Sequence, residues 1–322
     1  MPVLQTNHLH KKYGSLVAVD DLNFSVEEGE IFGLLGPNGA GKSSTLMMLT
    51  TLLKPTTGTA IVNGFDIVKQ PAQVRGSIGI VFQDPSSDDT LTGYENLKLH
   101  GMLYHMPAAL REKRIHEVLE LVDLSDRKKD LVKKYSGGMR RRLEIARGLM
   151  HHPKILFLDE PTVGLDPQTR EHIWHYISTL SKQEKISIIL TTHYMEEAEL
   201  LCQRIAIVDY GKIKALDTTD NLKKVVAGDV VNLEVAKPDL EVFRQLPFVK
   251  KAEASQAKVT LTVLDAKEHL QEILQTAGEV RSVEVHVPTL NDVFLHYTGR
   301  AIREAPAEGG WAERSMHYST KK

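Results

Sequence analysis

Apolar positions along this chain follow two patterns, and they change partway. Ile31 to Leu35, Ile155 to Leu158 and Ile186 to Leu190 are apolar runs, the second of them continuous, as expected of a strand buried on both faces of a parallel sheet. Ile78-Gly79-Ile80-Val81-Phe82 is another. Residues 84 to about 150 intersperse charged and apolar positions and read as largely helical, with Met139, Leu143, Ala146 and Met150 on one helix face. After Gly228 the continuous runs give way to alternation. Val231, Leu233 and Val235, then Val259, Leu261 and Val263, then Val283, Val285 and Val287 each predict a half-buried strand. Leu270, Ile273, Leu274 and Ala277 predict a helix between the last two. The expected layout is an α/β domain over 1–227 with a helical part at about 84–150, then a small α+β domain over 228–299. The last stretch, 300–322, is rich in glycine, proline and charge and is expected to be poorly ordered.

The first run ends in Gly36-Pro37-Asn38-Gly39-Ala40-Gly41-Lys42-Ser43, and helix-like Ser44-Thr45-Leu46-Met47-Met48-Leu49 follows. Strand, G-x-x-x-x-G-K-[ST] and helix together predict a phosphate cradle. The glycines let backbone N–H groups turn inward on a polyphosphate, and the helix adds about half a positive charge at its N-terminus. Lys42 would reach the β and γ phosphates and the Ser43 hydroxyl would sit on Mg²⁺. A second run, Ile155 to Leu158, ends in Asp159-Glu160. Ligands in open α/β sheets bind beyond the carboxyl ends of strands, where these acids would stand. Asp159 suits the shell of Mg²⁺ and Glu160 suits polarising a water. The plainer reading is an acid capping the next turn, since Pro161-Thr162 follows at once.

Ser136 before two glycines reads as an N-cap with bare N–H groups on the turn that follows, an end that binds anions or simply starts a helix. Gln83 follows one apolar run, and His193 stands beyond another after Thr191-Thr192. In isolation these read as a loop residue and a core histidine. Their order with the cradle, Ser136-Gly137-Gly138-Met139-Arg140, Asp159-Glu160 and Gly164-Leu165-Asp166 resembles the ATP-binding cassette of ABC transporters over about residues 3 to 220. The six pieces match Walker A, Q-loop, signature, Walker B, D-loop and H-loop in sequence. Tyr135 and Met139 stand where the commonest signature has leucine and glutamine, a variant found in the drug-export branch. Pro288-Thr289-Leu290-Asn291-Asp292-Val293-Phe294-Leu295 looks like the closing motif of daunorubicin-resistance-type export ATPases, and also reads as a capped helix, Thr289 with Asp292 three residues on.

That resemblance implies a P-loop NTPase fold, with a RecA-like parallel core, an antiparallel β subdomain and a helical subdomain, and a C-terminal α+β addition. It implies ATP with Mg²⁺, Glu160 and His193 as catalytic residues, and nucleotide contacts from Tyr13, the cradle through Ser44, Gln83, Ser136, Gly137, Gly138 and Asp166. Tyr13 lies where the family usually places an aromatic that stacks on adenine. Ser43, Gln83 and Asp159 would face the metal. The signature would contact the γ-phosphate of ATP held by a partner copy, so the active form is an ATP-bound homodimer on the cytoplasmic face of the membrane. The segment Leu91-Thr92-Gly93-Tyr94-Glu95-Asn96-Leu97 with Asp84-Pro85 would dock a separate transmembrane permease.

Composition fits. At 322 residues two domains are the better expectation. A formal net charge of -2 argues against a general nucleic-acid grip, and the single cysteine, Cys202, excludes an internal disulfide. No signal-like apolar core follows Met1 to Gln5, and no uncharged run approaches the ~18 residues a membrane helix needs. The basic runs Arg127-Lys128-Lys129 and Arg140-Arg141-Arg142 are expected on solvated helix faces. The second sits in a first helical turn, where cations oppose the dipole, which leaves open a local demand for positive charge. A P-loop GTPase or small-molecule kinase would explain Lys42 and Asp159 but gives no role to Ser136-Gly137-Gly138 or His193. The stretch from Gln83 to Ser136 is too short for the heptad insert of a DNA-repair ABC protein, and one cassette is half of what a translation-type ABC ATPase carries. An importer cassette stays open on these motifs, though its usual C-terminal addition differs in pattern.

Overall fold

The structure, a computed structural model, describes residues 2–226, 228–235, 240–255 and 258–299. The expected tail at 300–322 lies outside them. The chain divides into two compact units, the first running to Leu216 and the second starting at Asp217.

The first unit opens with β1 (Pro2–Tyr13), β2 (Leu16–Leu22), β3 (Ser25–Glu27), β4 (Ile31–Leu35) and α1 (Lys42–Leu49). Then come β5 (Thr57–Val62), β6 (Phe65–Asp66), α2 (Pro71–Ser77) and β7 (Ile78–Val81). A helical stretch follows: α3 (Gly93–Leu103), α4 (Ala108–Leu121), two single turns and α5 (Gly137–Leu149). The unit closes with β8 (Ile155–Asp159), α6 (Pro167–Glu184), β9 (Ser187–Thr192), α7 (Met195–Leu201), β10 (Arg204–Asp209) and β11 (Lys212–Thr218), the last reaching the boundary with the second unit.

Strands β1, β2, β3, β5 and β6 make an antiparallel sheet. The other six form a sheet in the order β11-β10-β4-β9-β8-β7, in which the pairs from β10 to β7 are parallel. Every residue of β4, β8 and β9 is buried, which is why apolar residues dominate β4 and β8 and the middle of β9. One core joins both sheets, with Leu4, Val26 and Val62 from the antiparallel sheet packing with Phe32, Leu34 and Phe157 from the parallel one.

Register is what builds the site. Leu35 of β4 lies beside Thr192 of β9, Asp159 of β8 beside Thr191, and Val81 of β7 beside Leu158. The residues just past these four strand ends are Gly36, His193, Glu160 and Phe82-Gln83. Four segments far apart in the chain therefore leave the sheet at one edge.

The second unit has α8 (Thr219–Val225), β12 (Asp229–Val235), α9 (Leu240–Arg244), β13 (Val249–Ser255), β14 (Lys258–Val263), α10 (Ala266–Ala277), β15 (Val280–His286) and α11 (Leu290–Thr298). Its antiparallel sheet runs β13-β14-β12-β15 over a core of Val231, Leu233, Val259, Leu261, Phe243 and Ile273. Helix α8 packs against α11, so this unit begins ahead of Gly228. Strand β13 carries no apolar alternation, and its Lys250, Lys251 and Glu253 hid it from the pattern. The half-buried reading of Val283, Val285 and Val287 needs correcting, since they are 43%, 36% and 38% exposed and the strand ends at His286, before Val287. Val283 and Val285 pair with Leu233 and Val231 on the covered face, but β15 is the outermost strand and its margin stays open. Thr289 and Asp292 do form a capping box at the start of α11, which buries Leu290, Val293 and Phe294.

Candidate nucleotide site

The cradle is a turn that only glycine allows. Gly39 and Gly41 have φ of +83° and +101°, a region costly to residues with a Cβ. A methyl on Gly36 would overlap the Val208 carbonyl oxygen, and one on Gly41 would overlap that of Ala18. The N-cap of α1 is Gly41, which makes no side-chain cap. The peptide groups and dipole suit an anion of phosphate type.

Lys42 is only 4% exposed. Its Nζ donates to the carbonyl oxygens of Gly36 at 2.6 Å and Pro37 at 3.2 Å, and lies 3.3 Å from Glu160 Oε1. Ser43 Oγ donates to Asp159 Oδ1 at 3.2 Å, and Thr191 Oγ1 donates to the same oxygen at 2.6 Å. His193 Nδ1 stands 2.9 Å from Glu160 Oε2. Burial pushes the Asp159 carboxyl up, the neighbouring Glu160 adds to this, and the hydroxyls of Thr191 and Ser43 oppose it. Burial also pushes Glu160 up, but His193 and Lys42 outweigh it and leave that carboxyl below its usual range. The paired oxygens of Ser43 and Asp159 are hard donors, and no cluster of three or more His, Cys, Asp or Glu able to hold a metal occurs among the described residues.

Glu160 is itself in an uncommon conformation, with φ +46° and 6% exposure. Its N–H is held by Thr191, through the carbonyl at 3.1 Å and the hydroxyl at 3.0 Å. Thr191 thus grips both acids, a role the sequence did not show because only the β8–β9 register creates it.

The other expected residues are placed as follows. Gln83 sits just beyond β7, next to β8 in the sheet. Tyr13 ends β1, half-buried with Lys11 Nζ 5.1 Å from its ring centroid, in a hairpin whose second strand supplies the Ala18 carbonyl against Gly41. Ser136 caps α5 by accepting from Met139 N at 3.3 Å, and both Ser136 and Gly137 are exposed. Gly138 has a packing reason too, since a methyl there would collide with the Thr169 side chain. Asp166 caps α6, accepting from Thr169 N at 3.0 Å and Thr169 Oγ1 at 2.6 Å.

The run Arg140-Arg141-Arg142 is not a solvated face. Arg140 Nη1 reaches Asp89 Oδ1 at 2.7 Å, and Arg142 donates to the carbonyls of Val122 and Asp123 at 3.1 Å each. Arg141 is buried. Helical periodicity distributes three consecutive residues around the helix, so no charge-run rule could tell which one turns inward.

A glycine turn between a buried parallel strand and a helix, with an acidic pair on the strand next but one, defines a P-loop nucleoside triphosphatase. Residues 19–163 match the ABC transporter family, and residues 218–298 match the C-terminal domain of DrrA1-3-like ATP-binding proteins. The linearmycin resistance ATP-binding protein LnrL of Bacillus subtilis (strain 168) is 38% identical over 94% of this chain and 100% of its own. The daunorubicin resistance ATP-binding protein DrrA3 of Streptomyces coeruleorubidus is 40% identical over 92% and 96%, and the Nod factor export ATP-binding protein I of Ralstonia nicotianae is 40% identical over 94% and 96%. A solved dimeric ATP-binding cassette in a post-hydrolysis state, bound to ADP and phosphate, is similar with a TM-score of 0.61 at 28% identity, covering 67% of this chain and 98% of that one. The cbiO1 protein of Clostridium perfringens gives 0.64 at 28%, over 70% and 94%. This chain belongs to the ABC transporter ATP-binding proteins, and within them to the group with a DrrA-like C-terminal domain. It is an ATPase subunit of that family.

Proposed function

We propose that two copies of this chain face each other head to tail around two ATP molecules and drive a separate membrane permease, exporting drugs or other amphipathic compounds from the cytoplasmic side. The observation that carries this is the one-sidedness of the site. Lys42, Asp159, Glu160 and His193 gather at one sheet edge, while the Ser136-Gly137 turn stands exposed with N–H groups to offer. A cradle open to water stabilises developing charge weakly; closing a second copy's turn over it excludes solvent and strengthens each polar contact.

In this reading Lys42 and the loop from Gly36 to Ser44 hold the phosphates and Tyr13 stacks on the adenine. Glu160 polarises the attacking water, His193 keeps water and γ-phosphate in register, and Gln83 and Asp166 complete the closed site. Mg²⁺ would neutralise phosphate charge when bound. Ser43 and Asp159 fit it because two oxygen donors beside a phosphate cradle suit an ion that keeps waters and substrate oxygens as its other ligands.

No helix among the described residues is long and apolar enough to cross a membrane, and relatives named for drug resistance and for export support a transporter role. A different cargo, such as a lipid or polysaccharide, is the second reading. A cargo other than a drug is supported by the Nod factor export relative, as similar as the daunorubicin one.

Glu160→Gln tests the proposal. It should keep ATP binding, lose turnover by about 10²- to 10⁴-fold, the usual range for a general base, and accumulate an ATP-bound dimer. In solubilised native membranes that dimer should carry a polytopic membrane protein with it. Turnover at the wild-type rate would remove Glu160 from its role, and a trapped dimer with no membrane partner would remove the permease.

A further inference from the structure

Arg141 is 7% exposed, and its guanidinium is spent on backbone. Nε donates to the Pro161 carbonyl, Nη1 to that of Phe82, and Nη2 to those of Asp159 at 3.2 Å and Glu160 at 2.7 Å. These acceptors belong to two strand ends. Phe82 precedes Gln83, and Asp159-Glu160-Pro161 is the acidic corner itself. The donor comes from a third segment, since Arg141 lies on α5, which Ser136 caps.

A buried cation loses its hydration, and Arg141 is the fifth residue of α5, beyond the first turn where the sequence placed the run, so local propensity does not explain its burial. Tertiary demand does. Four carbonyl dipoles receive the guanidinium, and Glu144, Glu197, Asp159 and Asp84 supply opposing charge around it.

The left-handed backbone at Glu160 tells what that demand is. A non-glycine residue at φ +46° is kept there by its surroundings. Thr191 holds the N–H of Glu160 on one side, and Arg141 holds the carbonyls before, at and after it on the other. Between these two grips the carboxylate is aimed at Lys42 and His193.

We propose that Arg141 is a positioning residue for hydrolysis: its planar fork fixes the backbone of Glu160 and ties it to the Gln83 strand end and the signature helix. This rests on Glu160 being the group that acts on water. A lysine is a point charge and cannot reproduce a fork reaching four acceptors.

The test is ATP turnover by the purified full chain with Arg141→Gln, Arg141→Lys and each combined with Glu160→Gln. Displacing a reacting group by about 1 Å costs about 10²-fold, so Arg141→Gln should lower kcat by about that factor, with KM and binding of a fluorescent ATP analogue little changed, since β4 and α1 carry the cradle. In the Glu160→Gln background the same substitution should have almost no further effect, because both changes act through one group. Arg141→Lys keeps the charge, and its kcat should also fall with KM unchanged, which carries the test if Arg141→Gln does not fold. Wild-type kcat in Arg141→Lys overturns the proposal, as do effects that add in full to those of Glu160→Gln, or nucleotide binding lost together with kcat. Wild-type turnover in Glu160→Gln alone would instead refute the reading of Glu160.

Discussion

Replacing Lys42 with methionine should expose a trade built into the site. Methionine keeps most of the stem but removes an ammonium held by two carbonyls and by Glu160 at 3.3 Å. Without nucleotide, the 6%-exposed Glu160 then keeps the His193 ring, with Nδ1 2.9 Å from its carboxylate, as its remaining side-chain neighbour. Removing one partner of a buried ion pair costs about 3–5 kcal/mol, and the remaining contact with His193 at 2.9 Å should hold this to roughly the lower end. At about 2–4 °C per kcal/mol for a unit of this size, thermal unfolding should fall by roughly 6–12 °C. With nucleotide, charge-assisted bonds from Lys42 to phosphate oxygens are worth about 1.5–3 kcal/mol, or roughly 10- to 150-fold in Kd. Lys42→Met/Glu160→Gln should recover most of the stability, since neither charge is then left alone, and none of the affinity. The assays are thermal unfolding of the free chain and titration with a fluorescent ATP analogue. A double variant no more stable than Lys42→Met would refute the trade, and unchanged affinity in Lys42→Met would refute the cradle.

Two further outcomes concern one buried and one half-buried group away from the phosphates. Glu197 is fully buried, and its Oε1 accepts from Thr162 Oγ1 at 2.7 Å and Trp174 Nε1 at 2.9 Å. Glu197→Ala leaves two buried donors unpaired at about 1–3 kcal/mol each, whereas Glu197→Gln keeps the acceptor oxygen. Because burial pushes this carboxyl up, wild type loses stability as pH rises through the raised range while the neutral glutamine does not, so Glu197→Gln should gain on wild type with rising pH; equal damage from both substitutions in thermal unfolding would contradict this. His100 is pushed down to about 4 by burial, then by Arg147 and His151. The unfolded chain takes up this proton near pH 6.5 and the folded chain resists until about 4, so stability present above 6.5 is lost as pH falls through that window. At about 1.4 kcal/mol per unit the loss is about 3 kcal/mol at most. Urea titrations at several pH values should show this slope, and His100→Gln should flatten it; an unchanged slope would show that another group sets it.

Much of the site was legible because its parts are local. The Gly36–Ser43 turn, the acids ending an apolar run and the Ser136 cap each occupy a few consecutive residues whose chemistry is fixed by type and spacing. What lay hidden was relational. Thr191 looked like an ordinary strand residue until register set it against Asp159 and Glu160. Arg141 looked like one third of a charge run, and Val283 and Val285 looked buried because alternation reports a face and says nothing of what covers it.

Sequence by itself determined which apolar runs could be buried strands, which turn could hold phosphate, and which side chains could do chemistry on it, since these depend on backbone freedom and side-chain type within a few residues. Only the tertiary structure decided that β4, β9, β8 and β7 stand side by side and end level, and that a guanidinium from α5 closes on the corner they make. Those contacts join residues far apart along the chain, and a long-range contact is set by how whole sheets pack, which no short window of residues encodes.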